Sequence, residues 1–239
     1  MNKTNKIQRP YGRALGDCWS VINYFINYGL ENNELINMSL WYQKGHKIKR
    51  ADKIKDILSL LEHNEYIQVG EWKPTENKLH WNLGSAYPHI PTKMTWEPNE
   101  SRQICYQFDG KSKKGQKNFG SIEEAQNLVN YIQNLGFKTV QVGGNKTLEH
   151  CVQDMAESEA FIGIDSGMCY MAASVGVPMV LVQNNTPMNR FTSSHSNKHF
   201  ILCTDGSDAI NKVHELKHNG LDYYINKAEN IHWFQYYVS

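Results

Sequence analysis

The sequence predicts an α/β fold built on parallel sheets, arranged as two consecutive halves. Short apolar runs recur at the pitch of one strand plus one helix, and the segments between them carry apolar residues at helical spacing. The runs also tend to end in glycine with Asp, Ser or Asn, the chemistry of strand-to-helix turns. Alternation of this kind gives right-handed crossovers and a sheet covered on both faces.

The first half is the less regular. Ile7 to Tyr11 reads as a strand, Asp17 to Tyr28 as a helix and Leu35 to Tyr42 as a second strand. Ile54, Ile57, Leu58 and Leu61 form one apolar helical face, and Tyr66 to Val69 a third strand. From Trp72 to Pro98 periodicity fades into a segment bearing His80, Trp81, Tyr87, His89 and Trp96. The second half opens with the strand Ile104 to Phe108, which ends at Asp109-Gly110. Ser121-Ile122-Glu123-Glu124 is a capping box for a helix with Ala125, Leu128, Val129 and Ile132 on one face. Strand Phe137 to Val142, helix Thr147 to Glu157 and strand Ala160 to Asp165 follow. A small-residue helix through Ala172-Ala173, the strands Val177 to Val182 and Phe200 to Cys203, and an amphipathic helix from Asp208 to Lys217 complete the pattern. The expected domains are residues 1–98 and 99–220, followed by an aromatic closing segment, 221–239.

Composition excludes several classes of function. A chain of 239 residues is long enough to bury a substantial core. Its 25 basic and 24 acidic side chains leave a net charge of +1, so no global field directs it to nucleic acid or to a membrane. No run approaches the roughly 18 apolar residues of a membrane span. Met1 to Arg9 is polar and basic without an apolar core, so no secretory signal is expected. The five cysteines are scattered, without metal-ligand spacing. Reduced thiols, a cytoplasmic location and the absence of a metal site are the expectations.

Two turns combine glycine, an acid and a helix start: Ala14-Leu15-Gly16-Asp17 and Ile164-Asp165-Ser166-Gly167. Ligands of open α/β sheets bind beyond the carboxyl ends of the strands, where helix N-termini offer free N–H groups. A glycine there lets backbone approach an anion, and a branched side chain at Gly167 would obstruct it. Either turn taken alone is equally an ordinary helix cap.

The run from Phe161 through Asp165-Ser166-Gly167-Met168-Cys169-Tyr170 to Gly176-Val177-Pro178 resembles the donor-site signature of the heptosyltransferases, glycosyltransferase family 9. Arg13-Ala14-Leu15-Gly16-Asp17 resembles that family's N-terminal motif, and Phe108-Asp109-Gly110 followed by Lys117-Asn118-Phe119 its phosphate-binding stretch. Tyr170 stands where the family usually has histidine, and the chain is shorter than typical members. The resemblance implies a GT-B fold, two Rossmann-like domains facing across a cleft, with residues 221–239 crossing back to the N-terminal domain. It implies transfer of a sugar from a nucleoside-diphosphate sugar, a co-substrate rather than a cofactor, to an acceptor hydroxyl. Asp17 is then the general base, with Arg13 and Gly16 on the acceptor side. Gly110, Lys117, Asp165, Ser166, Gly167, Met168 and Tyr170 bind the donor, the N–H groups of Gly167 and Met168 and the Lys117 ammonium meeting the diphosphate.

A carboxylate at a helix start is favoured as the anion and so is ready to take a proton. The DxD metal motif is missing, in keeping with a metal-independent reaction. Glu149, near a helix start, reads as a ribose contact or an exposed side chain. The basic run Lys44, Lys47, Lys49, Arg50, Lys53, Lys55 reads as a solvated helix edge or a phosphate-tracking strip. The acceptor is accordingly a glycan such as lipopolysaccharide or a hydroxymethylated nucleic-acid base. A non-catalytic nucleotide- or nucleotide-sugar-binding module is the alternative.

Overall fold

The computed structural model describes residues 6–8, 15–39, 51–70, 89–108, 122–164, 166–182 and 200–203. In the first half these form β1 (Lys6–Gln8), α1 (Leu15–Asn32), β2 (Ile36–Ser39), α2 (Ala51–Leu60) and β3 (Ile67–Gly70). The second half holds β4 (Gln103–Gln107), α3 (Ile122–Asn134), β5 (Lys138–Gln141) and α4 (Leu148–Ala156), followed by β6 (Ala160–Ile164) and α5 (Gly167–Val175). Strands β7 (Met179–Val182) and β8 (Phe200–Cys203) end the described chain. The helix expected over Asp208 to Lys217 and the closing segment 221–239 lie outside the described residues.

Both sheets are parallel, in the orders β1-β2-β3 and β5-β4-β6-β7-β8. In the second sheet the chain runs outward from β4 to β5 and then crosses back past β4 to β6. The strand order therefore reverses between β4 and β6. The sheet's two faces follow from the period of two. Cys105, Phe161 and Met179 join the core formed with α4 and α5, whereas Ile104, Ile162, Ile164 and Val180 pack with Leu128 and Ile132 of α3.

Local chemistry sets the helix ends. Asn33 stops α1 in a left-handed conformation (φ 50°), and the Glu34 N–H closes back on the Gly29 carbonyl at 3.0 Å. Thr147 caps α4 by accepting the His150 N–H at 3.2 Å. Gly176 (φ 84°) ends α5. In α2, Ile54, Ile57 and Leu58 are buried while Lys53 and Lys55 are exposed, and Lys53 lies 3.6 Å from Asp56 on the same surface. Those two lysines belong to a solvated edge; residues 44–50 lie outside the described residues.

One hydrophobic core spans both halves. Trp19, Ile22, Phe25 and Ile26 of α1 share it with Met171, Ala172 and Val175 of α5. The Trp19 indole Nε1 donates to the Ser174 hydroxyl at 2.9 Å, joining residues 155 positions apart. The segment from His89 to Asn99 is hydrogen-bonded to both halves. The Lys93 N–H donates to the Leu60 carbonyl (2.8 Å), and Thr92 and Trp96 donate to Ser174 and Val175 (3.0 and 3.1 Å). The Trp96 indole reaches the Ser158 carbonyl at 2.8 Å. Order here comes from backbone pairing with distant elements, which has no periodic sequence signal.

Removing the Trp19 ring would leave a cavity between α1 and α5 and an unpaired Ser174 hydroxyl. Trp19→Ala is expected to destabilise the protein by about 3–5 kcal/mol, and Trp19→Phe by about 1 kcal/mol, in chemical denaturation.

Candidate functional site

The site is built where α1 and α5 begin. Each helix follows a parallel strand, so each N-terminus lies at the carboxyl end of its sheet. The two starts touch. A Cβ on Gly167 would stand 2.8 Å from the Leu15 Cβ and 2.9 Å from the Gly16 backbone nitrogen. A Cβ on Gly16 would stand 3.0 Å from Tyr170 Cε2 and 3.4 Å from the Gly167 Cα. Gly167 is thus demanded by the helix contact itself, and a side chain at Gly16 would crowd the Tyr170 ring. A branched side chain at Gly167 would meet Leu15 and Gly16, so its effect on an anion is inseparable from its effect on packing.

Two positive dipole ends lie side by side at this contact. Each carries roughly half a unit charge, which makes the corner favourable for anions. Ser166 opens α5 with an extended backbone (φ −150°), and its hydroxyl accepts the Met168 N–H at 3.2 Å and donates to Gln107 Oε1. The Met168 N–H, expected from the sequence to meet the diphosphate, is held by this cap. Gln107 ends β4 at the point where the strand order reverses, paired in register with Gly163 of β6. Gly143, the turn after β5 (φ 88°), approaches the same corner: a Cβ there would lie 3.7 Å from Met168 and 3.8 Å from Gln107. Three strand ends of the second sheet therefore converge on Gln107, Ser166 and Met168.

Tyr170 is 8% exposed, with its ring against Gly16 on one side and 6.0 Å from the His89 ring on another. Asn23 of α1 organises the histidine. Its Oδ1 accepts the Ile90 N–H at 2.8 Å, so its amide nitrogen faces His89 Nδ1, 3.3 Å away. An amide nitrogen only donates, which places the neutral imidazole's proton on Nε2. Burial lowers the His89 pKa from 6.5 to about 4.

Of the residues singled out in the sequence, the structure brings together Gly16, Ser166, Gly167, Met168 and Tyr170, with Asp17 in the first turn of α1. Arg13, Gly110, Lys117, Asp165 and the Asp17 side chain lie outside the described residues. Glu149 is exposed in the first turn of α4. Gln107, Asn23 and His89 gain their places only from the fold. Their one sequence signal is an amide at a strand end (Gln107) or within an apolar helical stripe (Asn23). Cys18, Cys105, Cys151 and Cys169 are buried and form no disulfide, and burial raises the Cys105 thiol to about 12 and the Cys151 thiol above its ordinary value. A thiol raised in this way stays protonated and poorly nucleophilic. Among the described residues, no three His, Cys, Asp or Glu side chains gather as a metal site, and no helix is long and apolar enough to cross a membrane.

Residues 114–220 match glycosyltransferase family 9 (heptosyltransferase). Over that stretch, a little under half of its length, the chain resembles the heptosyltransferases. Its fold is similar to that of TibC, a dodecameric iron-containing heptosyltransferase from enterotoxigenic E. coli, solved in complex with ADP-D-β-D-heptose. The TM-score is 0.60 at 12% identity, over 93% of this chain and 79% of that one. A family 9 glycosyl transferase from Veillonella parvula aligns with TM-score 0.57 at 12% identity, over 90% of each chain. E. coli heptosyltransferase WaaC with ADP aligns at 0.51 and 10% identity, over 94% of this chain and 100% of that one. No curated protein matches the chain. At these identities the solved structures carry the fold, which is GT-B. The family 9 match contains Lys117 and the turn Asp165 to Tyr170, whereas Arg13, Gly16, Asp17 and Gly110 precede it.

The histidine generates a pH dependence. Its folded pKa, about 4, lies below the unfolded value of 6.5, so the unfolded chain takes up the proton first as pH falls. The stability linked to His89 is complete above pH 6.5 and is lost as pH falls through 4, about 3 kcal/mol in all. Denaturation midpoints across this window are expected to fall more steeply for the wild type than for His89→Gln; equal slopes would refute the assignment.

Proposed function

We propose that the chain is a glycosyltransferase that moves a sugar from a nucleoside-diphosphate sugar to an acceptor hydroxyl without a divalent metal, with Asp17 as the general base. The observation that carries the reading is the abutment of the α1 and α5 starts at Gly16 and Gly167, which sets an acid-bearing turn beside an anion-favouring one.

The chemistry follows from charge. As the bond from the anomeric carbon to the β-phosphate oxygen breaks, positive charge grows on the sugar and negative charge on the departing diphosphate. The dipole ends of α5 and α1 stabilise that anion, with Lys117 as the cation beside it. Ser166, Gly167 and Met168 form the turn that receives the diphosphate, with Gly110 as a further donor contact. Asp165 holds sugar hydroxyls, and Tyr170 belongs to the same donor side. The acceptor oxygen loses its proton as it attacks, and Asp17, on the opposing helix start next to the acceptor-side residues Arg13 and Gly16, takes it. The acceptor is a glycan or a hydroxymethylated nucleic-acid base. ADP-heptose in the complex with TibC supports a nucleotide-sugar donor for this chain.

Asp17→Asn keeps the size of the side chain but cannot accept the proton. Release of nucleoside diphosphate from ADP-glucose, UDP-glucose or GDP-mannose is expected to fall roughly 10²–10⁴-fold in this variant, with donor affinity by calorimetry unchanged. Near wild-type turnover would end the assignment of the base. Donor binding with no turnover in the wild type would favour the binding-module alternative. Activity is expected to persist in excess EDTA, and a loss restored by magnesium or manganese would overturn metal independence.

A further inference from the structure

The C-terminal ends of α2, α4 and α5 share one cap. The last four carbonyls of an α-helix have no partner within it. Here the segment from Ile90 to Asn99 supplies partners to three helices at once. The Lys93 N–H donates to the carbonyl of Leu60, the last residue of α2, at 2.8 Å. The Thr92 and Trp96 N–H groups donate to the carbonyls of Ser174 and Val175, the last two residues of α5, at 3.0 and 3.1 Å. The Glu97 N–H donates to the carbonyl of Ala156, the last residue of α4, at 2.8 Å, and the Asn99 N–H to that of Glu157 at 3.1 Å.

The order of these bonds matters more than their number. Thr92 and Lys93 are consecutive, yet their N–H groups donate to opposite halves of the chain. Just before them the Pro91 carbonyl accepts the Glu62 N–H of the first half at 2.9 Å. Just after them the Trp96 N–H and indole both turn to the second half. Thr92 is fully buried and bridged antiparallel to Leu61. A hinge needs a few residues whose dihedral angles can change while the bodies on either side stay intact. The step from Thr92 to Lys93 leaves no room for one. Moving the halves apart there breaks one bond or the other, and orphans a helix-end carbonyl or a buried N–H.

We propose that residues 90–99 are a suture that makes the two halves one rigid body, so that the site does not close by a hinge when a nucleotide binds. The suture adds to the direct contact of α1 with α5 and is a property of the free chain, whatever is transferred. For the reaction proposed above, the turns at Gly16 and Gly167 then hold their arrangement before the donor arrives, as preorganised charge stabilisation requires.

Native-state hydrogen exchange followed by NMR reads the suture directly. Most of the segment is exposed, and amides of an exposed aperiodic segment ordinarily exchange by local opening, far faster than core amides. In one rigid body the amides of Glu62, Thr92, Lys93, Trp96 and Glu97 open only when the chain unfolds. Their protection factors in the free protein are expected to lie within about tenfold of the lower of those of Phe25 and Phe161, buried residues of the two halves. Weaker protection than this at Thr92 or Lys93 would overturn the proposal. Spin labels on p-acetylphenylalanine, replacing the exposed Lys55 of α2 and Asn127 of α3, give the distance between the halves. One distance is expected, moving by less than about 2 Å in excess ADP, UDP or GDP. Two populations in the free protein, or a larger shift with nucleotide, would also overturn the proposal. Failure of all three nucleotides to bind would count against the proposed function alone, because exchange and the distance in the free protein still decide the suture.

Discussion

Two helix N-termini pressed together through a pair of glycines, Gly16 and Gly167, form the constraint on which the rest of this structure depends. Setting two positive dipole ends side by side is unfavourable by on the order of 1 kcal/mol in a partly wet setting. Apolar burial offsets it, since deleting a single buried tryptophan such as Trp19 from the same interface costs about 3–5 kcal/mol. The leftover positive potential is then available to an anion.

The same contact accounts for the distribution of polar groups in the core. The α1 stripe of Cys18, Trp19, Ile22, Phe25 and Ile26 is interrupted by buried Asn23 and Asn27, and neither is wasted. Asn27 donates to the Asn23 carbonyl at 2.8 Å, while the Asn23 side chain bridges the Ile90 N–H and the His89 ring. Gln103 and Ser158 satisfy each other at 3.0 Å beneath β4 and α4. A buried amide left unpaired would cost several times what a formed hydrogen bond contributes. These groups therefore restrict the chain to one arrangement of the segment from His89 to Asn99 against both halves.

Because one hydrophobic cluster runs from α2 through α1 and α5 to α4, the first turns of α1 and α5 are tied to each other more firmly than a loop-to-loop contact would allow. Gln107 and Ser166 place the α5 start at the reversal of strand order, and Tyr170 meets the α1 start across the glycine pair.

Much of this was legible in the sequence. The periods of two and 3.6 located the strands and helices, and the helix read as beginning near Thr147 does so in the fold, with Thr147 as its cap. The likeness of the Asp165 to Pro178 run to family 9 pointed to the reaction class, since a signature is local and survives divergence. Local patterns could not reveal what distant residues do to one another. Gly167 reads in sequence as room for a phosphate, yet its missing Cβ is required by Leu15 and Gly16, more than 150 positions away. His89 reads as one aromatic among several in an aperiodic segment; only docking of that segment against Asn23 and Tyr170 makes it a neutral, oriented imidazole. The sequence by itself determined the alternation of elements and the chemistry of the turns, because these depend on neighbours along the chain. The tertiary structure alone decided which turns meet and how closely, because packing energies depend on contacts that have no fixed separation in sequence.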